Sequence, residues 1–185
     1  MRHICRAYWT YLVCIISTIV IMATLTAVAT AVITTSLYDS KFKVVYSLDS
    51  RNTDREIIRL IDGADRYIYF AIYYFTKADI AEALIRAKRR GVLIWGITDN
   101  VASLDSNKNT IAALRDAGIV VETQKHQDGI MHMKAIVTDK AYASGSYNWT
   151  DSATNANDEI LEIGTDKSVH DQYLSIIKKV LTINR

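Results

Sequence analysis

The sequence predicts an α/β fold in which a mixed, mostly parallel β-sheet carries helices on both faces and follows an N-terminal apolar helix. Between residues 42 and 122, short β-branched and aromatic runs alternate three times with amphipathic helical patterns. Such alternation is typical of parallel strands that are joined by crossover helices. After residue 130 the pattern changes to consecutive short strands and one long closing helix, which makes the sheet mixed.

The length and composition indicate one globular domain with an appendage. The chain has 185 residues, half of them hydrophobic. Both cysteines, Cys5 and Cys14, lie near the N-terminus, so the rest of the chain has no cysteine-based metal site. Arg2 and Arg6 account for the formal charge of +2, because from residue 39 onward 20 basic and 20 acidic residues cancel. Global basicity therefore gives no support to nucleic-acid binding, which would need a local patch.

The N-terminal segment is apolar enough to enter a membrane. Residues 7–38 form a run of 32 residues without a charge, longer than the roughly 20 residues that span a bilayer. Two interpretations stay open for residues 1–38: a cleaved signal peptide with the small-residue pattern Ala27-Val28-Ala29, or an uncleaved transmembrane anchor. If the basic end stays in the cytosol, residues 39–185 lie outside it, either exported (periplasmic or extracellular) or membrane-anchored.

The first half of the domain contains alternating strands and helices. Strands are predicted at residues 42–48, 67–75, 92–98 and 119–122. Helices are predicted from residue 53, at 77–90 and at 107–117. Thr53 opens a capping box, and Thr76 is placed to cap the second helix. Gly91 and Gly118 are placed to end the second and third helices.

The second half contains a predicted hairpin, a further strand and a helix. Strands at residues 131–138 and 141–144 are joined by a short turn, and another strand covers residues 159–163. The apolar stripe of residues 166–181 predicts a long closing helix.

Polar side chains that suit a phosphoryl group lie on the hairpin and on the segment after it. His132 and Lys134 are two residues apart, so they share a face if the backbone is extended. Ser146 and Asn148 repeat this spacing on the next extended piece. The four side chains offer a nucleophile or base, a cation and two neutral hydrogen-bond donors.

The spacing in this region resembles the signature of the phospholipase D superfamily, His-x-Lys-x4-Asp-x5-Gly-Ser-x-Asn. The matching residues are His132, Lys134, Asp139, Gly145, Ser146 and Asn148. The resemblance extends over about residues 44–163, with AIYYFT at 71–76 and NWT at 148–150 among its segments. Within the superfamily the chain is most similar to the short, single-motif, Nuc-type bacterial endonucleases.

The resemblance implies a covalent mechanism that needs two histidines. In this family one histidine attacks phosphorus and forms a phosphohistidine, while a second protonates the leaving oxygen. A single imidazole cannot do both in one step. The chain has one motif histidine, His132, so the second must be His132 of the partner subunit, brought close by a twofold axis. A homodimer therefore follows from the mechanism as well as from the resemblance.

The other motif residues are expected to surround the phosphate. Lys134 and Asn148 would hold its non-bridging oxygens, and Ser146 would add a hydroxyl donor. Gly145 would keep the backbone tight beneath the phosphate. Asp139 lies in the hairpin turn and is expected to be structural.

Two carboxylates are candidates for orienting the His132 ring. The resemblance points to Glu159, whose carboxylate would bond to the second ring nitrogen and fix the tautomer. Glu162 is the alternative, but it faces the opposite way on an extended strand.

No metal and no cofactor is expected. His3, His126 and His170 are scattered and do not pair with carboxylates at ligand spacing. His126 lies just before the motif, and we interpret it as a solvated loop residue rather than as part of a substrate groove.

Three functions are compatible with these features. The first is a metal-independent endonuclease acting on DNA or RNA with little sequence preference, because no base-reading module is recognisable. The second is a phospholipase D-type lipid phosphodiesterase, which the apolar segment favours, although no extra hydrophobic loop is evident beside the motif. The third is a catalytically idle homodimer that binds nucleic acid, which the intact motif disfavours.

Overall fold

The computed structural model describes residues 2–38, 42–125 and 128–184. The chain divides into two compact units, Met1–Ser40 and Lys41–Arg185. The first contains helix α1 (Arg2–Tyr38). Within it, the 18 residues Tyr11–Val28 have a mean hydropathy of 2.3. By length and composition this stretch can cross a membrane, and a signal sequence meets the same test.

Hydroxyl side chains in α1 bond within the helix. Ser17 and Thr18 both donate to the carbonyl oxygen of Cys14, at 2.9 and 2.8 Å. Thr24 donates to the carbonyl oxygen of Ile21 at 2.8 Å. Because these bonds satisfy the hydroxyls without water, they are compatible with a lipid environment.

The second unit contains seven strands and seven helices along residues 42–125 and 128–184. The strands are β1 (Phe42–Tyr46), β2 (Tyr67–Ile72), β3 (Leu93–Thr98), β4 (Val120–Thr123), β5 (Lys134–Thr138), β6 (Tyr142–Gly145) and β7 (Ile160–Gly164). The helices are α2 (Ser47–Ser50), α3 (Thr53–Asp62), α4 (Ala78–Arg89), α5 (Asn100–Leu104), α6 (Lys108–Asp116), α7 (Asp151–Asn155) and α8 (Lys167–Ile183). With four or five residues each, α2, α5 and α7 are too short to show a helical period, and the sequence did not predict them.

The strands form one mixed sheet in the order β1-β7-β6-β5-β2-β3-β4. The β2–β3 and β3–β4 pairs are parallel. The β1–β7, β7–β6, β6–β5 and β5–β2 pairs are antiparallel. The mixed α/β class is therefore confirmed, but the expectation of a mostly parallel sheet is wrong. Crossover helices produce parallel pairing only from β2 to β4, whereas the later strands follow one another as antiparallel neighbours.

Helices cover both faces of this sheet, as predicted. Phe70 of β2 lies in a core with Ile57 of α3 and Leu84 of α4. Ala71, the next residue, lies in a second core with Ile177 of α8. The change of face between consecutive residues follows the two-residue period of a strand.

The predicted helix starts are close to the observed ones, but the predicted caps are absent from these described helices. Helix α3 begins at Thr53, yet Asn52 is its N-cap residue and makes no side-chain cap bond. The buried Thr53 hydroxyl has no hydrogen-bond partner among the described residues, so it forms no capping box with Glu56. Helix α4 has Lys77 rather than Thr76 at its N-cap. Neither α3 nor α4 therefore has a side-chain hydrogen bond at its N-cap residue.

The predicted glycine stops are confirmed. Gly91 follows α4 with a φ of 90°, and Gly118 follows α6 with a φ of 75°. Glycine adopts this left-handed conformation at helix C-termini without the Cβ penalty of other residues.

The strand boundaries place two predicted site residues outside the sheet. Strand β5 begins at Lys134 and β7 begins at Ile160, so His132 and Glu159 lie in the connections before them. The predicted start of β5 at residue 131 is therefore wrong by three residues, and the predicted start of β7 at residue 159 is wrong by one. The pairing registers bring the carboxyl ends of β1, β2, β3 and β6 and the amino ends of β5 and β7 to one end of the sheet. We call this the motif end.

Candidate active site

His132 and Lys134 meet at the motif end, although not on one strand face as predicted. Lys134 pairs with Ile72 of β2 and is 8% exposed. His132 is exposed and precedes the strand. The Lys134 Nζ donates to the backbone carbonyl oxygen of His132 at 2.9 Å. The lysine side chain therefore reaches the histidine by folding back toward it.

Lys134 is a partly desolvated cation. Burial lowers its pKa, and the negative charge of Glu159 offsets part of this shift. Its Nζ lies 5.1 Å from the centre of the Tyr73 ring, within cation–π range. Among the described residues, no carboxylate lies within ion-pair distance of this ammonium group, so a phosphate would be its first close counter-charge.

Tyr73 contacts both motif residues, and the sequence did not single it out. Its ring centre lies 4.8 Å from that of His132. The hydrogen bond to Tyr74, together with burial, raises the pKa of Tyr73 to about 12. A phenol with this pKa stays protonated near neutral pH, and its ring packs against the His132 ring.

Buried Asn107 holds the backbone that carries Tyr73. Its Nδ2 donates to the carbonyl oxygen of Tyr73 at 2.7 Å and to Thr98 Oγ1 at 2.9 Å. Its Oδ1 accepts the N–H of Phe75 at 2.7 Å. These bonds fix the connection after β2 and hence the ring that packs on His132. No local sequence pattern predicted this, because Asn107 lies 32 residues from Phe75.

Asp99 fixes the segment that leads into His132. This buried carboxylate accepts the N–H of Met131 at 3.0 Å through Oδ2. Its Oδ1 accepts the N–H groups of Val101 and Ala102 at the start of α5. The residue just before His132 is therefore tied to the carboxyl end of β3.

A hydrogen bond to the backbone orients the side-chain amide of Asn148. Its Oδ1 accepts the backbone N–H of Tyr74 at 3.1 Å. Because a donor occupies the oxygen, the Nδ2 group is the end that remains to donate. Half-buried Asn148 can therefore offer N–H groups to a phosphate oxygen, and its predicted role there stays a prediction.

Ser146 and Gly145 are held against the start of β7. The Ser146 Oγ accepts the N–H of Ile160 at 3.1 Å, and the Ser146 N–H donates to the Ile160 carbonyl oxygen at 3.0 Å. The hydroxyl proton stays available as a donor. A Cβ at Gly145 would lie 2.0 Å from the same carbonyl oxygen. Only glycine allows this close approach of two backbone segments.

Glu159 is fixed by buried Ser47, which the sequence did not predict. The Ser47 Oγ accepts the N–H of Glu159 at 2.9 Å and donates to the carbonyl oxygen of Asn157 at 2.6 Å. The Glu159 carboxylate accepts from Asn157 Nδ2 at 3.2 Å. No hydrogen bond joins Glu159 to His132 in the described part of the chain, so the expected pairing stays a prediction. Glu162 is exposed and pairs in register with Ser144, within β7 rather than in the connection that carries Glu159.

Asp139 lies at the other end of the sheet. Its Oδ1 accepts the N–H of Asp65 at 3.1 Å, and its Oδ2 lies 3.5 Å from Arg66 Nε. Burial raises the pKa of Asp139, but the N–H groups of Asp65 and Arg66 more than offset this and lower it. The carboxylate links the hairpin turn to the start of β2, which supports the structural role predicted for it.

The other histidines lie apart from this cluster. The His170 ring contacts the carbonyl oxygen of Thr138 at 2.8 Å and Asp171 Oδ1 at 3.0 Å, at the end of the sheet opposite the motif. His126 lies outside the described residues, and the His3 side chain is not described. Within the described ranges, no three His, Cys, Asp or Glu side chains are grouped as metal ligands would be.

The cluster has the composition of a phosphate site. An exposed imidazole, a desolvated ammonium group, a hydroxyl proton and an amide N–H pair meet at one end of the sheet. Such donors stabilise the charge that develops on phosphate oxygens during displacement at phosphorus.

One family model matches most of the second unit. It is described as "Cardiolipin synthase, PLD-like domain" and matches residues 57–181. This range contains all six motif residues, and it also contains Tyr73, Asp99 and Asn107.

A solved structure and two curated relatives are similar to this chain. The crystal structure of Nuc, a phospholipase D family member from Salmonella typhimurium, has a TM-score of 0.71 and 26% identity, and the match covers 78% of this chain and 95% of Nuc. A mitochondrial cardiolipin hydrolase from Xenopus tropicalis is 29% identical over 117 residues, covering 63% of this chain and 55% of the relative. A phospholipase D from Rickettsia conorii is 34% identical over 119 residues, covering 64% and 58%. The match thus spans little more than half the length of these two relatives.

Proposed function

We propose a function from the premise that this chain belongs to the PLD-like domain family. It is a metal-independent phosphodiesterase that cleaves DNA or RNA with low sequence specificity. The observation that carries the proposal is the arrangement at the motif end. Lys134, Ser146 and Asn148 each have a donor or charge left for a phosphate beside the exposed His132 ring.

The proposed reaction has two displacements at phosphorus. In the first, a His132 nitrogen attacks phosphorus, the bond to the leaving oxygen breaks, and His132 of the partner subunit protonates that oxygen. In the second, water attacks the phosphohistidine, gives a proton to the same partner histidine, and the P–N bond breaks. Lys134 and Asn148 hold the non-bridging oxygens throughout, and the loss of one such contact costs about 3–4 kcal/mol of transition-state stabilisation.

A homodimer is part of this proposal, because the motif supplies one histidine per chain. Exposed apolar side chains of α5 and of the segment before β5 support it: Val101 is 72% exposed, Leu104 is 73% exposed and Ile130 is 55% exposed. Ile130 is two residues from His132. A twofold contact through this end would bury these side chains and bring the two histidines together.

A second candidate function is hydrolysis of a membrane phospholipid by the same chemistry. The same three apolar side chains favour it, since they could enter a bilayer beside the site. No extra hydrophobic loop was evident beside the motif from the sequence; two of the three exposed side chains lie in α5, and Ile130 lies just before the motif. The names of the Xenopus and Rickettsia relatives point in the same direction. The third candidate is an idle dimer that only binds nucleic acid. No observation favours it over an active enzyme, because the donor set of the motif is intact.

We also propose that residues 39–185 work outside the cytosol, exported or anchored by α1. The apolar stretch Tyr11–Val28 supports membrane insertion, and Arg2 and Arg6 before it favour a cytosolic N-terminus. Cleavage after Ala29 and retention as an anchor predict different masses for the mature protein, so mass spectrometry of the mature chain decides between them.

The test uses the full chain in detergent micelles with excess EDTA. Single-stranded DNA, double-stranded DNA, RNA, phosphatidylcholine and cardiolipin are each incubated with the wild type and with His132→Ala. Cleavage of nucleic acid by the wild type alone supports the proposal. Cleavage of lipid with nucleic acid untouched puts the phospholipase function first. DNA binding by a folded dimer without any turnover favours the idle dimer.

A further inference from the structure

A groove lined by hydroxyl-bearing side chains lies next to Asn148 at the motif end. It has a volume of about 370 Å³ and is lined by Tyr74, Thr76, Ser106, Thr150, Asp151 and Ser152. Its size is near the lower end of the roughly 300–1,000 Å³ typical of small-molecule sites. The mechanism described above uses none of these side chains.

The groove shares its walls with the phosphate site. Tyr74 donates its backbone N–H to Asn148 Oδ1 at 3.1 Å, and its side chain lines the groove. Thr150 follows Asn148 by two residues, and the carbonyl oxygen of the intervening Trp149 accepts the N–H of Thr76 at 2.9 Å. A phosphate held by Asn148 would therefore have its neighbouring substituent beside this groove.

The lining suits an uncharged group that has both polar edges and an apolar face. Five of its six side chains carry a hydroxyl, and the sixth, Asp151, is already paired with Lys77 Nζ at 2.9 Å. None of the six is basic, so the groove does not suit a second phosphate. None is aliphatic apart from the threonine methyls, so it does not suit an acyl chain either.

We propose that this groove binds the nucleoside attached to the scissile phosphate, with Tyr74 against the base and the hydroxyls on polar edges of the base and sugar. The inference rests on the proposed function and names its substrate class. A base offers a flat face for an aromatic ring whatever its identity, which agrees with low sequence specificity. The Tyr74 ring already packs against the Tyr73 ring, with the two ring centres 4.2 Å apart, and a glycerol headgroup would offer it no second flat face.

The experiment compares two substrates in the wild type and in three variants of the full chain. One substrate is a fluorescent deoxyoligonucleotide, and the other is the same oligomer with abasic residues. Ser106→Leu and Ser152→Leu each add an apolar side chain to the groove lining at an exposed position. Ser168→Leu, at an exposed serine in α8, is the matched control. The readout is the ratio of kcat/KM on the intact oligomer to kcat/KM on the abasic one.

We expect the wild-type ratio to be at least tenfold and to fall at least fivefold in both groove variants, with Ser168→Leu at the wild-type value. A wild-type ratio near one, or groove variants that keep the wild-type ratio, overturns the nucleoside assignment. Saturation-transfer NMR with adenosine provides a readout without turnover: binding by the wild type that Ser152→Leu loses supports the groove even if the nuclease proposal fails. Absence of adenosine binding in an active nuclease overturns the groove alone.

Discussion

Replacing Gly145 by alanine should damage both the sheet and the site. The added Cβ would lie 2.0 Å from the carbonyl oxygen of Ile160 and 3.3 Å from the Cα of Leu161. An ordinary contact of about 3.4 Å requires the two backbone segments to separate by about 1.4 Å. Such overpacking costs about 1–3 kcal/mol. The Ser146–Ile160 backbone bond of 3.0 Å is strained or lost, which adds about 0.5–1.5 kcal/mol.

The expected loss is therefore about 2–4 kcal/mol in the free energy of unfolding, or about 5–15 °C in Tm at about 2–4 °C per kcal/mol. Urea titration followed by tryptophan fluorescence measures the first quantity, since Trp149 is buried in the second unit. Because Ser146 moves with the displaced segment, phosphodiester cleavage should fall at least tenfold under conditions in which the variant is still folded.

Gly91→Ala is the matched control for this prediction. Gly91 has a φ of +90°, and a Cβ added there would have no atom within 4 Å, so alanine introduces left-handed strain of about 1–2 kcal/mol without a clash. This variant should retain activity. If Gly145→Ala is no less stable than Gly91→Ala and remains active, the close approach of β6 and β7 does not shape the site as described.

Three further predictions concern residues around the site and at the opposite end of the sheet. Asn107→Leu leaves the N–H of Phe75 unpaired and leaves the Tyr73 carbonyl oxygen with only the 3.3 Å bond from Thr98 Oγ1. Its kcat should therefore fall at least tenfold with a smaller change in KM, and its stability should fall by about 1–3 kcal/mol. Unchanged kcat in a destabilised variant would reduce Asn107 to a structural residue. Lys134→Met should lower kcat by about 10²–10³. Because burial lowers the Lys134 pKa, the charged lysine destabilises the fold below that pKa, and this cost is relieved as pH rises toward 10.5. Any stability advantage of Lys134→Met over the wild type should therefore shrink in alkali. An advantage that grows with pH contradicts this. Asp139→Asn should keep activity and lose stability at pH 7. Because the Asp139 pKa is lowered, the stability difference from wild type should vanish as pH falls through that lowered pKa. Urea titrations between pH 7 and acid pH check this, and a stability loss that persists at low pH argues against the carboxylate as its source.

The regular elements were predictable because their patterns are local. The apolar period of residues 53–62 and the glycines at 91 and 118 mark helix α3 and the ends of α4 and α6 within a few residues of sequence. Strand order is not local information. Nothing in residues 42–48 indicates that β1 pairs with β7, which lies near the far end of the chain, and the antiparallel share of the sheet was therefore underestimated.

The site was predictable only in part for the same reason. The motif spacing singled out His132, Lys134, Ser146 and Asn148, and the structure brings these side chains to one end of the sheet. The residues that hold them come from distant parts of the chain. Ser47 bonds to the Glu159 segment across 112 residues, and a buried serine or asparagine has no sequence pattern that distinguishes it from an exposed one.

The central claim is that His132 becomes covalently bonded to phosphorus during turnover. The most direct measurement is mass spectrometry of the full chain quenched within milliseconds of mixing with a short oligonucleotide in excess EDTA. We expect an acid-labile nucleotide adduct on the peptide that contains His132, with no adduct and no turnover in His132→Ala. Turnover without any adduct on that peptide, or cleavage that persists in His132→Ala, would show that His132 is not the nucleophile.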